Sequence, residues 1–123
     1  MKHYRFIIAA LLSVSCVIQA LAIDEYYLNK AESYSRDAEY YFEKAEGYEK
    51  DAKYYSKRAQ DYYRQAEYYV KKQDYDRVKT YQNWAENEID KMQLRLEWAE
   101  DAREKAELRM KWAKDAYEKA YDD

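Results

Sequence analysis

The chain has no proline, and only one glycine (Gly47), one cysteine (Cys16) and one histidine (His3). Without proline, nothing forbids continuous helix. With a single glycine there is no Gly-rich loop to cradle a phosphate. The thiol and the imidazole both lie in the first 22 residues, where Met1–Arg5 is short and basic, Phe6–Leu12 is apolar and Ala20-Leu21-Ala22 ends in a small-x-small pattern. That is the organisation of a secretory signal peptide, with cleavage expected after Ala22. The same apolar run read as a membrane anchor is marginal in length and is interrupted by Ser, Cys and Gln.

The expected mature chain, residues 23–123, then carries no thiol, no imidazole and no disulfide. It must be held by helix packing, by association or by another covalent link. It has no Asn-x-Ser/Thr glycosylation acceptor either. Nucleophilic catalysis would have to proceed without a histidine base, and the many carboxylates fall on a regular charged face. The chain reads as a non-enzyme with no cofactor and no metal. Its net charge is −3 with the signs closely mixed, so there is no basic block to follow a phosphate backbone and nucleic acid is not an expected partner. A lipid-binding helix would set Leu and Phe opposite Lys and Arg. Ala and Tyr serve poorly there, so no membrane association is expected once the signal is removed.

What the chain does have is alanine, tyrosine and charge at helical spacing. "AESYSRDAEYYFEKAEGYEKDAKYYSKRAQDYYRQAEYYVKK" spans residues 31–72. With Ala31, Ala38, Ala45, Ala52, Ala59 and Ala66 at heptad position a, position d is Tyr34, Tyr41, Tyr48, Tyr55, Tyr62 and Tyr69. Six unbroken heptads are a coiled-coil signal. Over them runs a 14-residue repeat: Ala31–Lys44, Ala45–Arg58, Ala59–Lys72. Helix propensity is high throughout, and pairs such as Glu46–Lys50, Glu67–Lys71 and Asp115–Lys119 add i,i+4 support.

The second half continues the pattern with Tyr75 at a and Val78 at d, through Ala85, Ile89, Met92, Leu96, Ala99, Ala106, Met110, Ala113, Tyr117 and Ala120, with Gln82 and Arg103 as polar exceptions. Its frame is displaced by two residues from the first half, which turns the stripe by about 200° on a helix of 3.6 residues per turn. A reversal near Val70–Asp74 resolves this, although neither Gly nor Pro marks it. The expected fold is all-α: an antiparallel coiled-coil helical hairpin after a signal peptide, with helix 1 over about 24–70, a turn over about 71–74 and helix 2 over about 75–121. One long continuous helix is the alternative.

Folding back puts residues whose numbers add to 144 opposite each other: Ala59 with Ala85, Ala45 with Ala99, Ala38 with Ala106 and Ala31 with Ala113. Tyr55 should meet Ile89, Tyr48 should meet Leu96, Tyr34 should meet Met110 and Tyr27 should meet Tyr117. The small layers would let the backbones close toward the lower end of about 8–10 Å. Facing g positions pair Asp37 with Arg109, Asp51 with Arg95 and Arg58 with Glu88, all of opposite sign.

Position c lies off this seam, yet it carries Tyr40, Tyr54 and Tyr68 in the first half and Trp84, Trp98 and Trp112 in the second, each one heptad in two. These six rings are the candidate functional face, since repeated exposed aromatics mark a contact surface. One use is a second packing layer, in a dimer of hairpins or a four-helix bundle. Another is oxidative chemistry. An accessible phenol oxidised by a phenol oxidase or peroxidase couples to dityrosine, or becomes a catechol and then a quinone that lysine amines attack. Residues 23–123 hold 16 tyrosines and 13 lysines and no cysteine to quench quinones.

Heptads such as "AEYYFEKAEGYEKDAKYYSKRA" (38–59), behind a signal peptide in a small Tyr- and Lys-rich chain, resemble the trematode eggshell-synthesis proteins, the vitelline precursors of the eggshell, over about residues 23–81. The resemblance implies secretion into granules, release, and tyrosinase-driven tanning into an insoluble shell, with Tyr40, Tyr54 and Tyr68 as candidate sites. The chain departs from that family in having one glycine where many members carry Gly-Tyr-rich tracts, and in its Trp-bearing second half. The reading is therefore a secreted structural precursor that self-associates or joins related structural proteins. The other reading, from a different class, is a soluble secreted binding module that docks a partner protein through its aromatic face.

Overall fold

The computed structural model describes residues 23–122; the expected signal segment, 1–22, lies outside the described residues. Two helices of 47 residues account for nearly all of it: α1, Glu25–Lys71, and α2, Tyr75–Tyr121. They pack antiparallel as a helical hairpin. The chain divides into two compact units, to each of which both helices contribute: residues 23–36 with 109–122, and Asp37–Leu108.

In the unit made of 23–36 and 109–122, Asp24 caps α1. Its side-chain Oδ1 accepts the Tyr26 N–H at 3.0 Å, filling one of the unpaired donors of the first turn. The Asp24 N–H donates to the Ala120 carbonyl at 3.0 Å, which satisfies an end-of-helix acceptor on α2. Those two residues belong to the register expected from the sequence. Ala31, Ala113, Ala116 and Ala120 are buried at this contact.

In the unit Asp37–Leu108, the buried stripe is Ala38, Ala45, Ala52, Ala59 and Ala66 on α1 against Val78, Ala85, Ala99, Ala102 and Ala106 on α2. Two of the expected flanking ion pairs form here, Arg95 Nε to Asp51 at 3.6 Å and Arg58 Nε to Glu88 at 3.4 Å. Arg103, a polar residue at a seam position, is accounted for by Glu49, which accepts from its Nε at 2.9 Å.

The reversal is built without glycine. Gln73 adopts φ 60°, its N–H donates to the Val70 carbonyl at 3.0 Å, and the Asp74 N–H donates to the Tyr69 carbonyl at 3.1 Å. These two bonds form a Schellman closure of α1, with glutamine at the left-handed position that glycine usually holds. Asp74 then caps α2, accepting the Arg77 N–H at 3.3 Å.

The composition of the seam differs from the expectation on one helix. On α2 most of the large residues at position a do not enter it: Tyr75, Leu96, Met110 and Tyr117 are exposed, and Ile89 is half-buried. The α2 stripe is centred on the d alanines and is extended by g residues, with Glu88, Ala102 and Ala116 all buried. When an alanine stripe meets an alanine stripe, the backbones come too close for a large side chain between them, and the bulky neighbours are displaced to the flanks.

Two measurements check this packing. Ala45→Leu should destabilise the protein by roughly 1–3 kcal/mol through overpacking, while Leu96→Ala should stay within about 0.5 kcal/mol, both read by chemical denaturation. Gln73→Gly should stabilise by about 1 kcal/mol by relieving the left-handed residue, seen as a higher denaturation midpoint at unchanged slope.

Candidate functional site

The d tyrosines of α1 lie half-buried along one flank of the alanine stripe, and what covers them alternates. In the unit Asp37–Leu108, Tyr48 meets Trp98 edge-on with ring centroids 5.5 Å apart, and Tyr62 meets Trp84 at 5.7 Å. Between and beside these, Tyr41 lies under Lys105 at 5.8 Å, Tyr55 under Lys91 at 5.7 Å, and Tyr69 under Arg77 at 5.1 Å. In the other unit, Tyr34 meets Trp112 at 5.6 Å and Tyr27 lies under Lys119 at 5.6 Å. These covering residues occupy position c of α2, where tryptophan and a cation take turns every seventh residue; from position g, Tyr81 also stacks on Tyr69 at 5.5 Å and Arg95 also lies over Tyr55 at 5.7 Å.

Position c of α1 is complementary. Beside each tyrosine that faces a tryptophan stands Ser33, Gly47 or Asp61; beside each that faces a cation stands another tyrosine. Those second tyrosines meet their neighbours edge-on, Tyr26 on Tyr27, Tyr40 on Tyr41, Tyr54 on Tyr55 and Tyr68 on Tyr69, with centroids 5.1–5.4 Å apart. Every d tyrosine thus meets a further ring, either from its own helix or from the tryptophan opposite. Such pairs add about 0.5–1.5 kcal/mol each beyond the buried area.

The six rings singled out from the sequence therefore have two different environments. Trp84, Trp98 and Trp112 lean onto tyrosines, and two of them carry an arginine over the indole, Arg95 and Arg109, each with its guanidinium carbon 4.3 Å from the ring centre. Tyr40, Tyr54 and Tyr68 present their phenols outward. With Tyr26, which completes their spacing, they are 50–60% exposed. Tyr63, Tyr75, Tyr117 and Tyr121 are exposed outside this row.

A second set of residues joins the site that was not singled out from the sequence. Four positions after each outward tyrosine stands a cation whose charge rests over the ring: Lys30 on Tyr26 at 4.9 Å, Lys44 on Tyr40 at 5.0 Å, Arg58 on Tyr54 at 5.6 Å and Lys72 on Tyr68 at 4.6 Å. The signal was available as the recurrent Tyr-x-x-x-(Lys/Arg) at 14-residue intervals. The tyrosine hydroxyl, an acceptor within the ammonium's reach, raises each of the three lysines above the ordinary lysine range, with the phenol's own charge adding to it. Arg58 is raised in the same way by hydrogen bonds to the hydroxyls of Tyr54 and Tyr62, followed by the charge of Glu88.

Concavities open between these layers. One of about 300 Å³ is walled by Tyr41, Lys44, Tyr48, Trp98, Asp101 and Lys105. Residues 14 positions away line another of about 200 Å³ within the other unit, Tyr27, Lys30, Tyr34, Trp112, Asp115 and Lys119. Among the described residues there is no cluster of His, Cys, Asp and Glu able to hold a metal ion, and no helix long and apolar enough to cross a membrane. No family model, curated protein or solved structure matches the chain.

Trp98→Lys copies the layers on either side and should cost less stability than Trp98→Ala, by about 0.5 kcal/mol or more. Thermal unfolding of the two variants, compared with the parent, gives the order directly.

Proposed function

We propose that this is a secreted, tyrosine-rich structural precursor, joined oxidatively into an extracellular matrix or eggshell after release. The observation that carries this reading is the division of the tyrosines into two rows. One row packs against the seam and holds the hairpin together. The other, Tyr26, Tyr40, Tyr54 and Tyr68, is outward-facing, half exposed or more, and meets its neighbour edge-on while carrying a cation over its outer side.

A matrix precursor has to stay folded in storage while offering many reactive phenols at once. Ordinary core tyrosines cannot do both, because a ring that supports the fold is shielded from an oxidising enzyme. Doubling the residue as Tyr-Tyr separates the tasks, since neighbours on a helix point about 100° apart. Lysines are plentiful beside the outward row, and residues 23–122 hold no cysteine to intercept a quinone. The chain itself is substrate and not catalyst; a phenol oxidase or peroxidase supplies the oxidation.

The test is mass spectrometry of the protein from its secreting tissue and from its final extracellular site. Hydroxylation, dityrosine or Lys–catechol links should concentrate on Tyr26, Tyr40, Tyr54 and Tyr68 and on the exposed Tyr63, Tyr75, Tyr117 and Tyr121, with Tyr34 and Tyr48 spared. A protein that remains extractable with every tyrosine intact would end this reading.

A further inference from the structure

Resting on that cross-linking reading, we propose that the cation over each outward tyrosine decides where its oxidised ring is captured. Lys30, Lys44 and Lys72 take the quinones of Tyr26, Tyr40 and Tyr68 within the chain. Tyr54, covered by Arg58, is left as the site that joins to a second chain.

The three lysine nitrogens stand over their rings, 4.6–5.0 Å from the centres. Amine addition to a quinone approaches from above the ring plane, so each nitrogen already occupies the attacking side. A phenol oxidase with O₂ converts the phenol to the ortho-quinone: one oxygen atom enters the ring carbon beside the hydroxyl, the other leaves as water, and O₂ accepts all four electrons. The unprotonated lysine nitrogen then adds its lone pair to a ring carbon. The displaced ring electrons move onto the quinone oxygens. The proton shed by nitrogen and the one shed by that ring carbon end on those oxygens, restoring a catechol with no leaving group. The net change is the gain of one oxygen and the loss of two hydrogens.

Arg58 cannot make this bond. A guanidinium stays protonated and offers no lone pair. It is also held in place: Nη1 donates to the Tyr54 hydroxyl at 2.9 Å, Nη2 to the Tyr62 hydroxyl at 3.1 Å, and Nε faces Glu88 at 3.4 Å. Lys50 and Lys57 stand one turn to either side, while the cation over the Tyr54 ring is that of Arg58, 5.6 Å from its centre. Tyr54 is 55% exposed, with no amine among the described residues seated on its ring, so its quinone is the one open to an amine of another chain; same-chain links from Tyr54 to Lys50 or Lys57 in place of mixed ones would overturn this.

The experiment uses the full chain with Cys16 alkylated, as an equal mixture of isotopically light and heavy protein at micromolar concentration. A tyrosinase and air supply the oxidation, and linked peptides are mapped. Light–light and heavy–heavy links joining Tyr40 to Lys44 and Tyr68 to Lys72 are expected. Mixed-isotope links should favour Tyr54 over Tyr40 by at least about tenfold, because an amine already in contact competes at a far higher effective concentration. Lys44→Arg should move Tyr40 into the mixed class, and Arg58→Lys should withdraw Tyr54 from it. If Arg58→Lys disturbs the fold through Glu88, Lys72→Arg makes the same test at Tyr68. Hydroxylated Tyr40 and Tyr68 beside unmodified Lys44 and Lys72, or mixed links spread evenly over the four tyrosines, would overturn the proposal and leave the cross-linking reading standing. Absence of any hydroxylation in the row would overturn both.

Discussion

Alanine against alanine is the contact on which the rest of this helix pair depends. The stripe is almost without side chains, and no large side chain among the described residues is fully buried. A conventional seam concentrates its apolar area between the helices. Here the centre contributes proximity, and the apolar area is spread over the flanks, where rings are only partly shielded. Those rings need further partners, which accounts for their regular covering by tryptophan or a cation. Cation–ring contacts at exposed sites are worth about 0.5–1 kcal/mol each, so no single one decides the fold, and repetition along the pair does.

The same geometry explains why tyrosine suits this protein better than phenylalanine or leucine. A flank position is apolar on one side and wet on the other, and a phenol satisfies both. Once tyrosine serves as the packing residue, a second tyrosine beside it supplies an outward phenol that costs the seam nothing. Structural stability and chemical reactivity are thus written with the same residue type at adjacent positions. The outward row can therefore change without disturbing the row that packs against the seam.

Much of this is legible in the sequence, for a physical reason: alanine spacing is a backbone property. Helix content, the reversal near residue 73 and the pairing of Asp51 with Arg95 and Arg58 with Glu88 follow from the heptad count and the two-residue shift between the halves. The fate of the large α2 residues is harder to read. Leu96 and Met110 satisfy an apolar pattern, but pattern alone does not say how close the helices come, and at close approach only the alanine side of the pattern fits. The tryptophans illustrate the same gap. Their spacing reveals a common face, while their contact with Tyr34, Tyr48 and Tyr62 depends on the flank geometry of the assembled pair. The cations over Tyr26, Tyr40, Tyr54 and Tyr68 are visible as a spacing, yet a lysine four residues from a tyrosine is so ordinary on a helix that only its recurrence distinguishes it.

Glu88 stands where the repeat has Ala102 and Ala116, and it is only 5% exposed. Its carboxylate relies on Arg58 at 3.4 Å and Lys91 at 3.5 Å, and α1 has an arginine above a row tyrosine only at this level. Repetitive helices have an inherent ambiguity, because sliding one past the other by two heptads would set alanine on alanine and tryptophan on tyrosine again. Such a slip would set Glu88 opposite Lys44 or Lys72, replacing the planar guanidinium of Arg58 with a flexible ammonium that lacks its fork of donors. The one arginine in that row of cations thus marks the level at which Glu88 belongs in an otherwise self-similar ladder.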